Sequence, residues 1–298
     1  MPLGAYHKEN EMNMETLYIN NDETQTQIID GIPFLHFRAL DAFDWISHGF
    51  STRLGGVSSG IHESMNLNFN VSDDREKVIE NYKRMCHVLD VHPSQLVLSD
   101  QTHTTNIRVV TKEDAGKGIL YPKDYHDVDG LITNESGLML VTSYADCVPL
   151  YFIDPVHKAI GLSHSGWKGT VGRMGISTLK AMAEHFDTDP KDVTGLIGPS
   201  ICQDCYEVSG DVIDRFRDIY DQESLSKVAY EKPDGKWQLD LWEANRQIML
   251  MGGMRPENIH ISGACTGCNE KLLWSHRKTA GKRGGLSAFL MIREGVDH

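Results

Sequence analysis

The amino-acid sequence predicts an α+β fold, a single domain of mixed β-sheets flanked by helices. Three observations predict it. Eight short runs are rich in apolar residues, and several are apolar throughout, as in strands covered on both faces. Four longer segments repeat apolar residues at helical spacing. The strands cluster in the middle of the chain with helices before and after, which is not the regular alternation of a doubly wound sheet.

Taken in order, the clearest helix covers about 74–90, where Val78, Ile79, Tyr82, Met85, Val88 and Leu89 share a face and Asp73 or Asp74 can cap the start. Strands follow at 95–99, 106–111, 138–144, 148–153 and 158–163. A second helix covers about 170–186, with Ile176, Leu179, Met182, Ala183 and Phe186 on one side. A strand at 193–197 leads to helices at about 209–220 and 240–251, and strands at 258–262 and 286–292 close the chain. With no repeat, low-complexity tract or Pro- or Ser-rich linker, residues 14–298 read as one catalytic domain. Residues 1–13 read as a disordered polar leader, with Met12 or Met14 as a candidate functional start.

Composition narrows the function classes. The 298 residues carry 29 Lys plus Arg against 42 Asp plus Glu, a formal charge of −13. Such a body repels phosphate backbones, so nucleic acid and anionic membranes are poor partners, although a few focused cations can still hold a small anion. No apolar run approaches the roughly 18 to 20 residues of a membrane span. The start of the chain has no basic stretch followed by an apolar one, so no signal peptide is expected. Six cysteines in a chain of this length do not suggest a disulfide scaffold. A soluble, reduced, cytoplasmic protein is the expectation.

Chemistry concentrates in three turns at predicted strand ends: Asp100-Gln101-Thr102-His103, Tyr144-Ala145-Asp146-Cys147-Val148-Pro149, and Ser163-His164-Ser165-Gly166-Trp167-Lys168-Gly169-Thr170. Two His and one Cys make a three-ligand tetrahedral zinc set with a vacant fourth position. Their spacings of 44 and 17 residues match no local metal motif, so spacing alone does not assemble them.

These turns belong to a longer series. Ser64-Met65-Asn66-Leu67, Ser72-Asp73-Asp74, Gln101-Thr102-His103, Val128-Asp129-Gly130-Leu131, Ala145-Asp146-Cys147-Val148-Pro149 and His164-Ser165-Gly166-Trp167-Lys168-Gly169 come first. Ile197-Gly198-Pro199, Cys205-Tyr206-Glu207-Val208, Cys265-Thr266 and Ser275-His276-Arg277 follow in order. Over roughly 45–294 the sequence resembles the YfiH/YlmD family, whose members were labelled laccase-domain or polyphenol oxidases and later linked to purine nucleoside phosphorolysis. The resemblance implies a zinc site on His103, Cys147 and His164. It implies a catalytic group of Cys147, His164, His103 and Asp146, with Asp146 as proton acceptor or turn anchor beside the thiolate. Substrate contacts are expected from Arg53, Asn66, Gln101, Lys168 and Arg277. The family's Ala-His-Ala-Gly-Trp-Arg-Gly is Ser-His-Ser-Gly-Trp-Lys-Gly here, so Lys168 keeps a charge without the bidentate fork of arginine. Its Gly-Asp-Asp is Ser72-Asp73-Asp74 here.

The implied reaction is zinc-dependent phosphorolysis of adenosine, inosine or S-methyl-5'-thioadenosine, with adenosine deamination as a side activity. The His-x-Glu and Pro-Cys-x-x-Cys deaminase signature is absent. A copper polyphenol oxidase is an alternative, since the same donors bind Cu2+ in vitro. None of the 14 histidines forms a His-x-His pair, however, as coupled copper centres typically do. A second alternative is a metal-free hydrolase using Cys147 with His164 or His103 as base and Asp146 or Asp129 as orienter. A scaffold in which zinc pins loops for a protein partner is the non-enzymatic reading. Monomer and homodimer are both compatible with the sequence. Cys202-Gln-Asp-Cys205 and Cys265-Thr-Gly-Cys268 are two C-x-x-C units, a pattern that can make a four-cysteine structural zinc; the 59 residues between them are far more than in a zinc ribbon, so buried or loop thiols are the favoured reading, with a second zinc site as the alternative. For phosphate, Arg53, Lys168 and Arg277 are the candidates, Lys168 at a helix start near 170; Lys282 and Arg283 are read as solvating a loop, and Gly55-Gly56 and Gly284-Gly285 as turns.

Overall fold

A computed structural model describes residues 21–295, so the expected leader at 1–13 lies outside the described residues. Among the described residues, one six-stranded sheet runs β1 (Thr24–Ile29), β2 (Ile32–Phe37), β3 (Ile46–Ser51), β15 (Leu286–Ile292), β7 (Met139–Tyr144) and β4 (Leu96–Leu98). A second runs β14 (Ile259–Ile261), β10 (Thr194–Ile197), β8 (Val148–Asp154), β9 (Ala159–Ser165), β6 (Gly130–Thr133) and β5 (Ile107–Val109). A small third sheet joins β11 (Glu207–Val208), β13 (Trp237–Leu239) and β12 (Ala229–Glu231). The helices are α1 (Arg75–Val88), α2 (Trp167–Val171), α3 (Met174–Phe186), α4 (Gly210–Arg217), α5 (Gln222–Val228), α6 (Leu241–Met251) and α7 (His276–Thr279). Both large sheets are mixed: β4–β7, β5–β6 and β10–β14 pair in parallel and their other neighbours antiparallel. The α+β class read from the sequence is the class observed.

The uninterrupted apolar runs have a simple cause, since alternate residues of one strand serve different layers. In β8, Leu150 and Phe152 face α3 and α6, while Tyr151 and Ile153 face the other sheet. In β15, Phe289 and Met291 pack under α1, while Ala288, Leu290 and Ile292 point between the sheets. The layer order is therefore α1, first sheet, second sheet, then α3 with α6. Truncating Leu162, fully buried between the sheets, to Ala would cost about 2–5 kcal/mol.

All eight predicted strands and the four predicted helical segments are present, with one correction. The helix expected at 170–186 is two, α2 and α3, because Arg173 adopts a left-handed conformation (φ 63°) that ends one and starts the other. Asp74 is the cap of α1, accepting from the Glu76 N–H at 3.0 Å, while Asp73 turns to the Asn66 amide at 2.8 Å.

Candidate active site

The three turns singled out in the sequence converge. The His103 turn connects β4 to β5 and the Cys147 turn connects β7 to β8, so both cross from the first sheet to the second. His164 is the penultimate residue of β9. One donor atom from each of His103, Cys147 and His164 lies within 4.8 Å of the others. The two imidazole rings stand nearly perpendicular, 5.0 Å apart at their centroids. Both face the Cys147 sulfur. Their approach depends on Gly166, because a Cβ there would sit 2.7 Å from the Cys147 sulfur.

Asp129, fully buried just before β6, organises the group. Its Oδ1 accepts from His164 Nδ1 at 2.8 Å and from the His103 N–H at 3.0 Å. Its Oδ2 accepts the Thr102 and Thr104 N–H groups at 2.9 and 3.0 Å and the Thr104 hydroxyl at 3.1 Å. One carboxylate thus wraps the His103 turn around itself, with His103 at a φ of 67°, and fixes the His164 tautomer so that Nε2 faces the sulfur. Burial pushes the Asp129 carboxyl up, but the His164 and backbone N–H groups outweigh it and hold it at about 2. Burial likewise raises the Cys147 thiol, yet the facing imidazoles bring it down to about 6. Burial lowers His164, but the Cys147 sulfur and Asp129 lift it to about 9. The site therefore favours a thiolate at neutral pH, the form that binds metal or attacks carbon.

This cluster forms part of the wall of a cleft of about 760 Å³. Gln101, Asp146 and Arg277 also line it. Gln101 clamps its turn to β7, accepting the Ser143 N–H at 2.7 Å and donating to the Ser143 carbonyl at 2.9 Å. Asp146 holds a left-handed backbone (φ 89°), and each carboxylate oxygen is engaged: by the Thr266 hydroxyl at 2.6 Å and by the Arg277 N–H at 2.7 Å. It anchors the start of α7, and with it Arg277, whose guanidinium lies 5.1 Å from the centre of the Tyr206 ring.

Arg53, Asn66 and Lys168 lie outside the cleft lining. The Arg53 guanidinium stacks 3.7 Å from the Trp274 ring centre and donates to the Glu270 and Glu63 carbonyls. Asn66 is fully buried and joins Asp73, the Asn68 backbone and the Gly285 N–H. Lys168 is exposed on α2. Arg283 corrects the loop reading, because it is half-buried and lines the cleft, its Nε 3.3 Å from His276 Nδ1. Arg75, at the start of α1, is a further cation in the lining that sequence reasoning missed. Asp129 was visible only as one candidate orienter, because its partners are 25–35 residues away in the chain.

Comparison with known proteins agrees over most of the chain. The family described as multi-copper polyphenol oxidoreductase laccase matches residues 47–293. The purine nucleoside phosphorylase YlmD of Bacillus subtilis is 37% identical over 250 residues, covering 83% of this chain and 88% of that protein. A purine nucleoside phosphorylase of Bacteroides thetaiotaomicron is 34% identical over 263 residues, covering 87% and 96%. The crystal structure of the Bacillus licheniformis hypothetical protein YfiH superposes with a TM-score of 0.85 at 32% identity, over 92% of this chain and all (100%) of that one. That of YlmD from Geobacillus stearothermophilus gives 0.83 at 34% identity, over 90% and 99%.

Proposed function

This chain belongs to the YfiH/YlmD family of laccase-like proteins, and on that premise we propose that it is a zinc-dependent purine nucleoside phosphorylase. Residues 14–298 would form one catalytic unit acting in the cytoplasm, as a monomer or homodimer. The substrates are adenosine, inosine and S-methyl-5'-thioadenosine, with adenosine deamination as a side activity at the same centre. A phosphate oxygen bonds to the anomeric carbon as the carbon–nitrogen bond to the purine breaks, and the base leaves with that electron pair.

One observation carries the reading: the His103–Cys147–His164 cluster shares a cleft with Arg75, Arg277 and Arg283, in a protein whose net charge is −13. The residues fit zinc. Two imidazole nitrogens and a thiolate are a zinc donor set, and Asp129 on His164 Nδ1 is the usual carboxylate–histidine arrangement. When bound, the ion supplies a Lewis acid at the cleft wall. Arg283 and Arg277 hold the phosphate dianion by charge-assisted hydrogen bonds. Asp146 keeps Arg277 in place through its backbone N–H. Tyr206, packed against that guanidinium, offers a flat face to the purine.

The test is chromatographic: free base released from each nucleoside, with and without phosphate, on protein of measured zinc content. Phosphate-dependent release of base and sugar 1-phosphate is expected. No free base from any of the three, with zinc and phosphate present, refutes the reading. The same chromatogram scores deamination, as loss of the adenine amino group.

A second reading has its own support. Cys147, His164 and Asp129 align as nucleophile, base and orienter. A metal-free cysteine hydrolase requires that the thiolate be unligated, so stoichiometric zinc resistant to mild chelation counts against it. Copper oxidase turnover by the protein as purified would instead favour the laccase label; turnover only after copper loading would make it a property of the added metal.

A further inference from the structure

Away from the cleft cluster, the two C-x-x-C units come together. Strands β10 and β14 pair in parallel, so the loops leaving their C-terminal ends emerge side by side, and Ser200 bridges to Cys265. The first loop carries Cys202 and Cys205, and the second Cys265 and Cys268. The 59 residues that make them distant in sequence fold away as α4, α5, the small sheet and α6.

We infer that Cys202, Cys205, Cys265 and Cys268 form a second metal site, which takes one structural zinc ion through four thiolates. Four features of the geometry support this. All four sulfurs lie within 4.8 Å of one another. Four sulfurs about 2.3 Å from one zinc stand roughly 3.8 Å apart in a tetrahedron. The Cys202–Cys268 and Cys205–Cys268 sulfur separations are 3.9 and 3.5 Å, far from the roughly 2.05 Å of a disulfide. The backbone also serves sulfur: the Cys202 and Cys268 N–H groups both donate to the Cys265 sulfur, at 3.2 and 3.3 Å. Such donors stabilise thiolate charge on a metal ligand. Gly267, inside the second unit, lets the loops meet: a Cβ there would lie 3.1 Å from the Cys205 Cβ and 3.2 Å from its sulfur. Soft thiolates in a closed set of four select zinc over hard cations and leave no position for substrate, so the role is structural. The loops it ties are those of the cleft. Thr266 donates to Asp146, the neighbour of Cys147, and Cys205 precedes Tyr206 in the cleft wall.

The experiment separates this site from the first. Zinc is counted by mass spectrometry, and its ligands by X-ray absorption, on the full chain and on Cys147→Ala, which lacks the cleft thiolate. Cys147→Ala is expected to retain one zinc per chain with four sulfur ligands, and Cys147→Ala combined with Cys268→Ser to lose it. The inference is overturned if Cys147→Ala retains no zinc, retains it with nitrogen or oxygen ligands, or holds iron instead. Failure of the cleft site alone reads differently, as one four-sulfur zinc in both the unaltered protein and Cys147→Ala.

Discussion

Replacing Asp129 by Asn tests the organising role of one carboxylate. The change preserves size but removes the charge and turns one oxygen into a donor. The remaining oxygen best serves the Oδ2 position, where it keeps Thr102 and Thr104. The new NH2 then faces two donors, the His103 N–H and His164 Nδ1. Two hydrogen bonds to a charged acceptor, worth about 1.5–3 kcal/mol each, are lost inside the protein, a cost of roughly 3–6 kcal/mol. At about 2 °C per kcal/mol for a large domain, the melting temperature should fall by roughly 6–12 °C. Zinc affinity should drop about 10- to 100-fold, because His164 loses its orienting partner. The acid dependence has a definite sign. Asp129 is held at about 2, below its ordinary value of 3.8, so its contribution is fully present above that ordinary value and is lost as pH falls through 2. The gap in melting temperature between the two proteins should therefore hold between about pH 4 and pH 6.5, narrow below that range as Asp129 takes up its proton, and narrow again as pH rises through about 9, where His164, which Asp129 helps to lift, loses its proton. Differential scanning fluorimetry across pH, with a zinc competition titration, measures both effects. A melting temperature within about 2 °C of the parent and unchanged zinc affinity would show that Asp129 does not hold the site together.

Further outcomes are open to measurement. Gly166→Ala should weaken zinc binding about 10- to 100-fold with the circular dichroism spectrum unchanged, since its Cβ would press on the Cys147 sulfur. In metal-free protein, the rate of Cys147 alkylation by iodoacetamide should rise with pH through about 6, because a lowered thiol is already thiolate above that point; His164→Gln should move the inflection upward. Arg283→Gln should raise the KM for phosphate roughly tenfold to a hundredfold with a smaller effect on the nucleoside KM, as expected for loss of one charged contact to the anion. Cys147→Ala should remain folded by the same spectrum and release no base.

The elements that the sequence announced share a trait. Strands such as β7, β8, β9 and β15 are covered on both sides and show it as predominantly apolar runs. Strand β3 (ISHGFS) is equally buried, yet its polar members hide it: His48 accepts from the Phe37 N–H and Ser51 from the Ser287 N–H, so burial is satisfied by hydrogen bonds rather than by apolarity. Strand β6 is only four residues long, and β11–β13 two or three, too short for periodicity to register. The site divides similarly. His103, Cys147 and His164 stood out as chemistry at strand ends, but that they meet depends on two crossovers between sheets that no local pattern encodes. Asn66 lies in a motif of the family resemblance and Arg53 reads from the sequence as a phosphate cation, yet both serve the architecture, binding turn amides and backbone carbonyls. Arg283 looked like loop decoration because its burial is supplied by segments far along the chain.

Those two crossovers have a mechanical corollary. Between them, the connections bearing His103 and Cys147 bridge the two large sheets, and His164 belongs to the second alone. An ion gripping all three would act as a rivet driven through both layers. Prising the sheets apart would then require its release, so chelation should loosen proteolytic resistance across both large sheets at once rather than at the cleft rim only.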